Sequence, residues 1–596
     1  MIFLGLAALF FLPIIESFSR DFGFLILIFG TVCITLDHIL KRREPRGWIP
    51  FLFFLTLVSF IPSLFYSISI ERSLWEFTRY VSYFLLFLSF YTYSNKDVLC
   101  RYFLIPMVCV NSIILSILWV MFSFLPQEFS TQISGMNLFF PTFGHNRISE
   151  LYIFSLPTFL FLWFTSDRKR KYVYLFFSIS TFILLVFTQS RGSMIALSIS
   201  FFLYILLSTK ARNTLPHFIS NVFSRLLSSA GILISVTVVF LIASFAYSHF
   251  FVAPGNDYSA IKGFYKPLWN ERRIEYINHG FAGFQKSPIV GTGLETFRYV
   301  SLMFQTEKDH WSWYLHNHIL ELFIETGILG GVLFLSLILI LLFQVNRSVQ
   351  HSLDQFGVLL PHALFISLMA SGIHSFLDYD WHFLSLFLLF WASAGILIGN
   401  KNTLKIWHSR LSVISLCILF GLTVALFILP KSKNVIEKSA DLLEEKKEDE
   451  ALQLLLSAYT FDRANGDISV KIADIYSEKG DWENAHLWYQ RAIILQPFYQ
   501  KYSLMQDIVV YLDEAESALG QSSFQEAQYT IRKAKVIYPY IYRLQTSTID
   551  TLSTSEFEEL IKSLKKESQQ WDPSDMEILV SVDTIYSLNP EASLWQ

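Results

Sequence analysis

The chain has 596 residues, 53% of them apolar and only 16% charged, with a formal net charge of −3. About a quarter of the residues in soluble domains are charged, so a purely soluble protein is excluded, and the scattered basic residues leave no footprint for a nucleic-acid partner. Cys33, Cys109 and Cys417 lie inside apolar runs and Cys100 at the edge of one, so the polar loops hold no disulfide framework or zinc site.

Apolar windows recur from Met1 to about Leu429, each long enough to cross a hydrocarbon core of ~30 Å at ~1.5 Å per residue. Backbone groups in lipid must be satisfied within their own segment, so these windows are expected to be helices. The first run lacks a basic leader and a small-residue cleavage site and reads as a first span rather than a removed signal peptide. Spans are expected near residues 2–18, 22–40, 49–68, 76–94, 101–125, 150–166, 172–188, 191–208, 229–250, 322–344, 358–376, 381–399 and 409–430. The expectation is therefore an all-α, polytopic membrane helix bundle of about 12–13 transmembrane helices over residues 1–430.

Lys and Arg crowd alternate connections: Lys41 to Arg46, Arg168 to Lys171, Lys210 to Arg225, and Lys401 to Arg410. The positive-inside rule makes those connections cytoplasmic and the others exocytoplasmic. That parity gathers on one outer face Gly144, His145 and Asn146; Ser190, Arg191 and Gly192; the long loop 251–321; and His374, Asp378 and Asp380. After Pro430 the composition turns charged and soluble. There Ala451, Leu455 and Ala458 recur 34 residues later as Ala485, Tyr489 and Ala492, and again, degenerately, as Ala527, Ile531 and Ala534. This is tetratricopeptide spacing, which predicts a soluble α-helical solenoid over residues 431–596 on the same outer face as the long loop.

Several polar motifs sit at the mouths of spans. Arg191, in T-Q-S-R-G-S, is either a snorkelling interfacial arginine or part of an anion site, because a guanidinium beside the free N–H groups of a helix start suits phosphate. Arg272 and Arg273 open an amphipathic stretch ending at Pro288, where Gly291 and Gly293 give a tight turn. His316 and His318 flank Asn317, and two histidines at i and i+2 do not share a helix face, which disfavours a metal site. An imidazole there is suited to taking a hydroxyl proton. His374 and Asp378 are spaced i and i+4 and read as a pair, structural or catalytic; His145 and Asn146 stand equally open.

Taken together, T-Q-S-R-G-S before an apolar helix, R-I-E-Y with P-I-V-G-T-G-L downstream, H-N-H-I-L-E-L-F-I-E-T-G-I-L-G and H-S-F-L-D-Y-D resemble the O-antigen ligase and Wzy-type polymerase superfamily, over roughly residues 143–397. A tetratricopeptide tail resembles that of a subset of the family. The resemblance implies a membrane glycosyltransferase that moves glycan from an undecaprenyl diphosphate carrier to an acceptor hydroxyl. That hydroxyl belongs to a glycan, a lipid A core or a protein, and the transfer occurs on the outer face of the cytoplasmic membrane with no cofactor and no metal. It also implies contact with membrane lipid, a protein partner for the tail, and catalytic roles for Arg191, Arg273 and His316. Arg272, Asn317, His318, His145, Asn146, His374 and Asp378 are expected to help bind substrate. A flippase would instead bury charges in mid-span within repeated halves, and a bare anchor for the repeats would not need so many spans.

Overall fold

The computed structural model describes residues 1–40, 48–93, 96–124, 145–208, 271–351, 360–398, 409–538 and 549–569, except 167, 189 and 430, together with 585 and 589–592. The protein is all-α, with no strand among the described residues. The first half of the bundle comprises α1 (Ile2–Phe10), α2 (Leu12–Phe18), α3 (Arg20–Leu40), α4 (Trp48–Phe65), α5 (Ile70–Thr92), α6 (Ile105–Phe124), α7 (His145–Thr165), α8 (Arg168–Phe187) and α9 (Arg191–Ser208). After the loop come α10 (Glu271–Lys286), α11 (Phe297–Phe304), α12 (His318–His351), α13 (Leu360–His374), α14 (Leu384–Ile398) and α15 (Ser409–Ile428). Seven helices among the described residues are long and apolar enough to cross a membrane: α3, α4, α6 with its π-helical lead-in, α7, α8, α12 and α15; α9 and α14 are shorter apolar helices.

The expected span near 229–250, the start of the long loop and Gly144 lie outside the described residues. The expected first span divides at Phe11, and Pro13, which has no N–H to donate, sits in the first turn of the second piece. Helix α5 is long enough to span but carries Glu71, Arg72, Glu76 and Arg79. It tolerates them because it is the inner helix, packed by α3, α4, α14 and α15, with nearly every residue from Glu76 to Tyr91 buried. Arg79 pairs with Glu76 one turn away and donates to the Trp381 carbonyl at 2.7 Å, so each buried charge has a partner.

Two features of the fold position the end of the bundle that carries the candidate residues. The first is the interlock of the P-I-V-G-T-G turn with a break in α12 at Gly327, whose backbone is non-helical. Thr292 and Gly293 donate to the Ile324 and Glu325 carbonyls at 3.1 and 2.9 Å, and Ile328 donates back to the Pro288 carbonyl at 3.0 Å. Gly291 has φ +78°, and a Cβ there would lie 2.2 Å from the Glu325 carbonyl oxygen, so only glycine fits this turn. The second is a glutamate clamp. Glu16 of α2 accepts from the Leu384 and Ser385 backbone N–H groups at the start of α14 and pairs with Arg147 of α7 at 2.9 Å, tying three helices behind the site.

The tail is a run of antiparallel helices: α16 (Ser432–Glu444), α17 (Glu448–Phe461), α18 (Gly466–Glu478), α19 (Trp482–Leu495), α20 (Lys501–Gly520), α21 (Phe524–Ile537) and α22 (Thr554–Ser568). The recurring small and apolar residues Ala451, Leu455, Ala458, Ala485, Tyr489, Ala492, Ala527, Ile531 and Ala534 are all buried where helices meet. The tail does not hang free. Ile68, Tyr299, Val300, Met303, Ala464 and Leu495 form one apolar cluster across the junction. Ala464 donates to the Ile68 carbonyl, Arg463 to the Ser67 carbonyl (each 3.0 Å), and the Trp311 indole to Tyr499 Oη at 2.8 Å.

Candidate active site

The site is built on the turn between α13 and α14. Helix α13 stops at His374, and the chain turns through Ser375 to Tyr379 before the short 3-10 segment Asp380–His382. Three elements meet on this turn, each bringing one of the residues expected to be catalytic.

His316 comes from the long loop. It has φ +58°, a left-handed conformation that is strained for a residue with a side chain and is held here by its surroundings. Asn317 follows as the cap of α12, its side-chain oxygen accepting from the Leu320 N–H at 2.9 Å. Glu321 reaches back to accept from the Leu315 N–H at 2.8 Å. The His316 ring lies between Tyr276, stacked at 6.2 Å, and Tyr379, edge-on at 4.8 Å, and its Nδ1 meets Asp378 Oδ1 at 3.0 Å. The same Asp378 oxygen accepts from the Tyr379 N–H at 2.9 Å, which fixes the carboxylate in place.

Arg273 comes from α10. Its Nη1 donates to the Leu377 carbonyl at 3.1 Å and its Nη2 lies 3.8 Å from Asp378 Oδ2. Asp378 therefore faces the imidazole with one oxygen and the guanidinium with the other. Its side chain is 4% exposed, against 22% for His316 and 36% for Arg273, so the carboxylate is inside while the imidazole and the guanidinium reach solvent. Burial alone would raise the Asp378 carboxyl, but the hydrogen bond and charge of His316, with His374 and Arg273, hold it down at about 2. Neighbouring Arg272 is exposed.

Arg191 comes from the first turn of α9. Its neighbour Gly192 is where α9 touches the turn: a Cβ there would lie 3.0 Å from His374 Nε2 and 3.5 Å from the Leu377 Cβ. Arg191 and Arg273 are within Coulombic reach of each other. Leu377 and Asp378 thus contact Arg273 and His316 directly, and the start of α9, next to Arg191, packs on the same turn.

Behind them lies a buried polar network that sequence reasoning reached only in part. His374 Nδ1 is 2.9 Å from Glu150 Oε2 and 2.6 Å from Asp380 Oδ2, and its Nε2 is 3.1 Å from Ser193 Oγ, which also meets Ser149 and Ser190. The expected side-chain pairing of His374 with Asp378 is thus replaced: the helix ends at His374, and Asp378 swings to His316 while Asp380 and Glu150 take the imidazole. By arrangement Glu150, His374 and Asp380 could hold a cation; among the described residues His374 Nδ1 hydrogen-bonds Glu150 and lies in ion-pair range of Asp380. Burial pushes Asp380 up to about 7 against the pull of His374. His318, expected near substrate, is instead 1% exposed and bonds the Tyr80 hydroxyl at 3.0 Å, behind the site and beside Trp381. His145 and Asn146 are the first residues of α7, and their side chains fall outside what the structure describes.

Sequence reasoning missed Glu150, Ser193, Tyr276 and Tyr379. The available signal for Glu150 was a lone carboxylate inside an apolar helix, which must find a partner.

The fold and site define a polytopic, all-helical membrane protein with a cationic cluster and a carboxylate-oriented imidazole at one mouth. Residues 175–335, from α8 to the middle of α12, match the family model described as O-Antigen ligase, a family of membrane glycan-transferring ligases and polymerases. That stretch contains Arg191, Arg273 and His316; Asp378 and the turn that carries it lie beyond it. No curated protein matches the chain.

Proposed function

We propose that the protein is a glycosyltransferase of the O-antigen ligase or polymerase type, moving glycan from an undecaprenyl diphosphate carrier to an acceptor hydroxyl of a glycan or lipid A core. The observation that carries this reading is the convergence of Arg273 and His316 on Asp378, with the start of α9 packed on the same turn. Two guanidiniums suit a pyrophosphate. With its Nδ1–H donated to Asp378, the neutral His316 ring carries its lone pair on Nε2 and can accept a proton there.

In the proposed reaction His316 Nε2 takes the acceptor hydroxyl proton as that oxygen bonds to the anomeric carbon. The carbon's bond to the phosphate oxygen breaks, and undecaprenyl diphosphate leaves as the anion. Direct displacement inverts the anomeric centre. Arg191 and Arg273 stabilise the charge growing on the diphosphate, an effect whose removal costs roughly a hundredfold to a thousandfold by analogy with oxyanion donors. The reading needs no cofactor and no metal. It places the mouth, the long loop and the tail, read as a tetratricopeptide-like domain over residues 431–596, on the exocytoplasmic face of the cytoplasmic membrane. Protein O-oligosaccharyl transfer is the second reading, favoured by a helical-repeat tail, since such repeats present a concave surface to peptides.

The test is reconstitution in proteoliposomes with a labelled undecaprenyl diphosphate oligosaccharide. A ladder of products marks a polymerase, one discrete adduct a ligase, and a shifted protein band protein glycosylation. Transfer that survives Arg191→Ala, Arg273→Ala and His316→Ala at wild-type rates would remove the proposal.

A further inference from the structure

The loop that delivers His316 carries a second feature that proton transfer and diphosphate binding do not use. Between Gln305 and His316 it reads Q-T-E-K-D-H-W-S-W-Y-L-H, a hydrophilic stretch with two tryptophans. Trp313 is 53% exposed on this polar loop. Trp311 packs on it with ring centres 5.7 Å apart and planes tilted by 48°. Arg298 stacks on Trp313 at 4.5 Å, and its Nε has no hydrogen-bond partner. The platform is braced from the tail: the Trp311 indole N–H donates to Tyr499 Oη at 2.8 Å, and that hydroxyl donates to Asp309 at 2.7 Å.

Interfacial tryptophans also anchor proteins in the lipid headgroup layer. Here the Trp311 N–H is bound to Tyr499 of the tail, and Glu307, Lys308 and Asp309 precede the pair, which favours a polar occupant over lipid. An exposed indole beside a guanidinium, with a carboxylate held nearby in the loop through Tyr499, is suited to a sugar: the apolar C–H face of a pyranose lies on the ring, and the charged groups bond its hydroxyls. The platform is also connected to the site. Tyr314, the next residue, stacks on Tyr379 at 4.8 Å, and Tyr379 in turn contacts the His316 ring. From Trp313 to His316 the chain reaches at most ~11 Å, about two pyranose units.

We propose that Trp313, with Trp311, Arg298 and Asp309, is a saccharide subsite that holds an acceptor chain about two sugars behind the hydroxyl presented to His316. The proposal rests on the glycan-transfer reading and adds to it a dependence on acceptor length. The platform contributes nothing to a one-sugar acceptor and binds one long enough to reach it.

The experiment uses the full chain in proteoliposomes and oligosaccharides of one to six sugars released from the host's own surface polysaccharide. Trp313→Ala is expected to raise KM at least tenfold for acceptors of four or more sugars, to leave KM for a single sugar within twofold, and to leave kcat unchanged; Trp313→Phe restores most of the loss. Independently of transfer, six-sugar acceptor should quench indole fluorescence saturably in the wild type and less in Trp313→Phe. A KM change equal at all lengths, no KM change, or the absence of saturable quenching overturns the subsite. If the preparation transfers nothing yet is quenched by the oligosaccharide in this way, the transferase reading fails and the saccharide site stands.

Discussion

Replacing Asp378 by Asn removes one charge and almost no volume, which isolates what the carboxylate does for His316. An asparagine oxygen can still accept from His316 Nδ1, so the ring keeps its place, but the imidazolium that forms as the acceptor proton arrives loses its counter-charge. The hydrogen bond and charge of His316, with His374 and Arg273, hold the buried Asp378 carboxyl down at about 2, so the charge that faces the imidazole is kept at neutral pH. Weakening the general base should lower kcat by roughly a hundredfold, the lower end of what general-base catalysis supplies. The assay is single-turnover transfer in proteoliposomes at saturating donor and acceptor, with donor affinity measured separately. A loss confined to kcat supports the pairing. A variant that folds and transfers within threefold of wild type would refute the reasoning, as would a loss confined to donor binding.

Arg273→Ala should lose roughly a hundredfold to a thousandfold in transfer rate, while Arg272→Ala, an exposed neighbour, should stay within about threefold in the same assay. Gly192→Ala places a methyl 3.0 Å from His374 Nε2, on a ring pinned between Glu150, Asp380 and Ser193; it should cost about 1–3 kcal/mol of stability, read as a lowered melting temperature with slowed transfer. In the tail, burial would lower His486, but Asp507 and Glu514 raise it to about 9. A raised histidine stabilises fully below its unfolded value near 6.5, and the gain is lost as pH rises through about 9. The tail should therefore melt at a lower temperature at pH 10 than at pH 6, and His486→Gln should flatten that difference.

Much of the fold was legible because hydrocarbon imposes a length and a composition that a single sequence displays. Each expected span within the described residues coincides with a helix or, near residues 2–18, with a pair of them. The small residues repeating in the tail were equally plain, since only they let helices approach closely. The long-range pairings were not legible. Asp378 meets His316 across 62 positions and Arg273 across 105, and no local pattern encodes which loop a carboxylate will face. The i, i+4 spacing of His374 and Asp378 pointed to a pair that would need the helix to continue, whereas it ends at His374. The preference for Arg273 over Arg272 came from motif spacing; in the structure Arg273 contacts the turn and Arg272 is exposed. His318 was misleading because its proximity in sequence to His316 hides a reversal of direction. The left-handed residue and the helix cap between them send one ring to the mouth and the other into the bundle.

The most direct measurement of the central claim is an electron-microscopic structure of the full chain with undecaprenyl diphosphate bound in a lipid nanodisc. The account predicts the diphosphate between the Arg191 and Arg273 guanidiniums, with His316 Nε2 facing the position of the departing sugar and Asp378 still on Nδ1. A diphosphate seated elsewhere, or touching neither arginine, would contradict it.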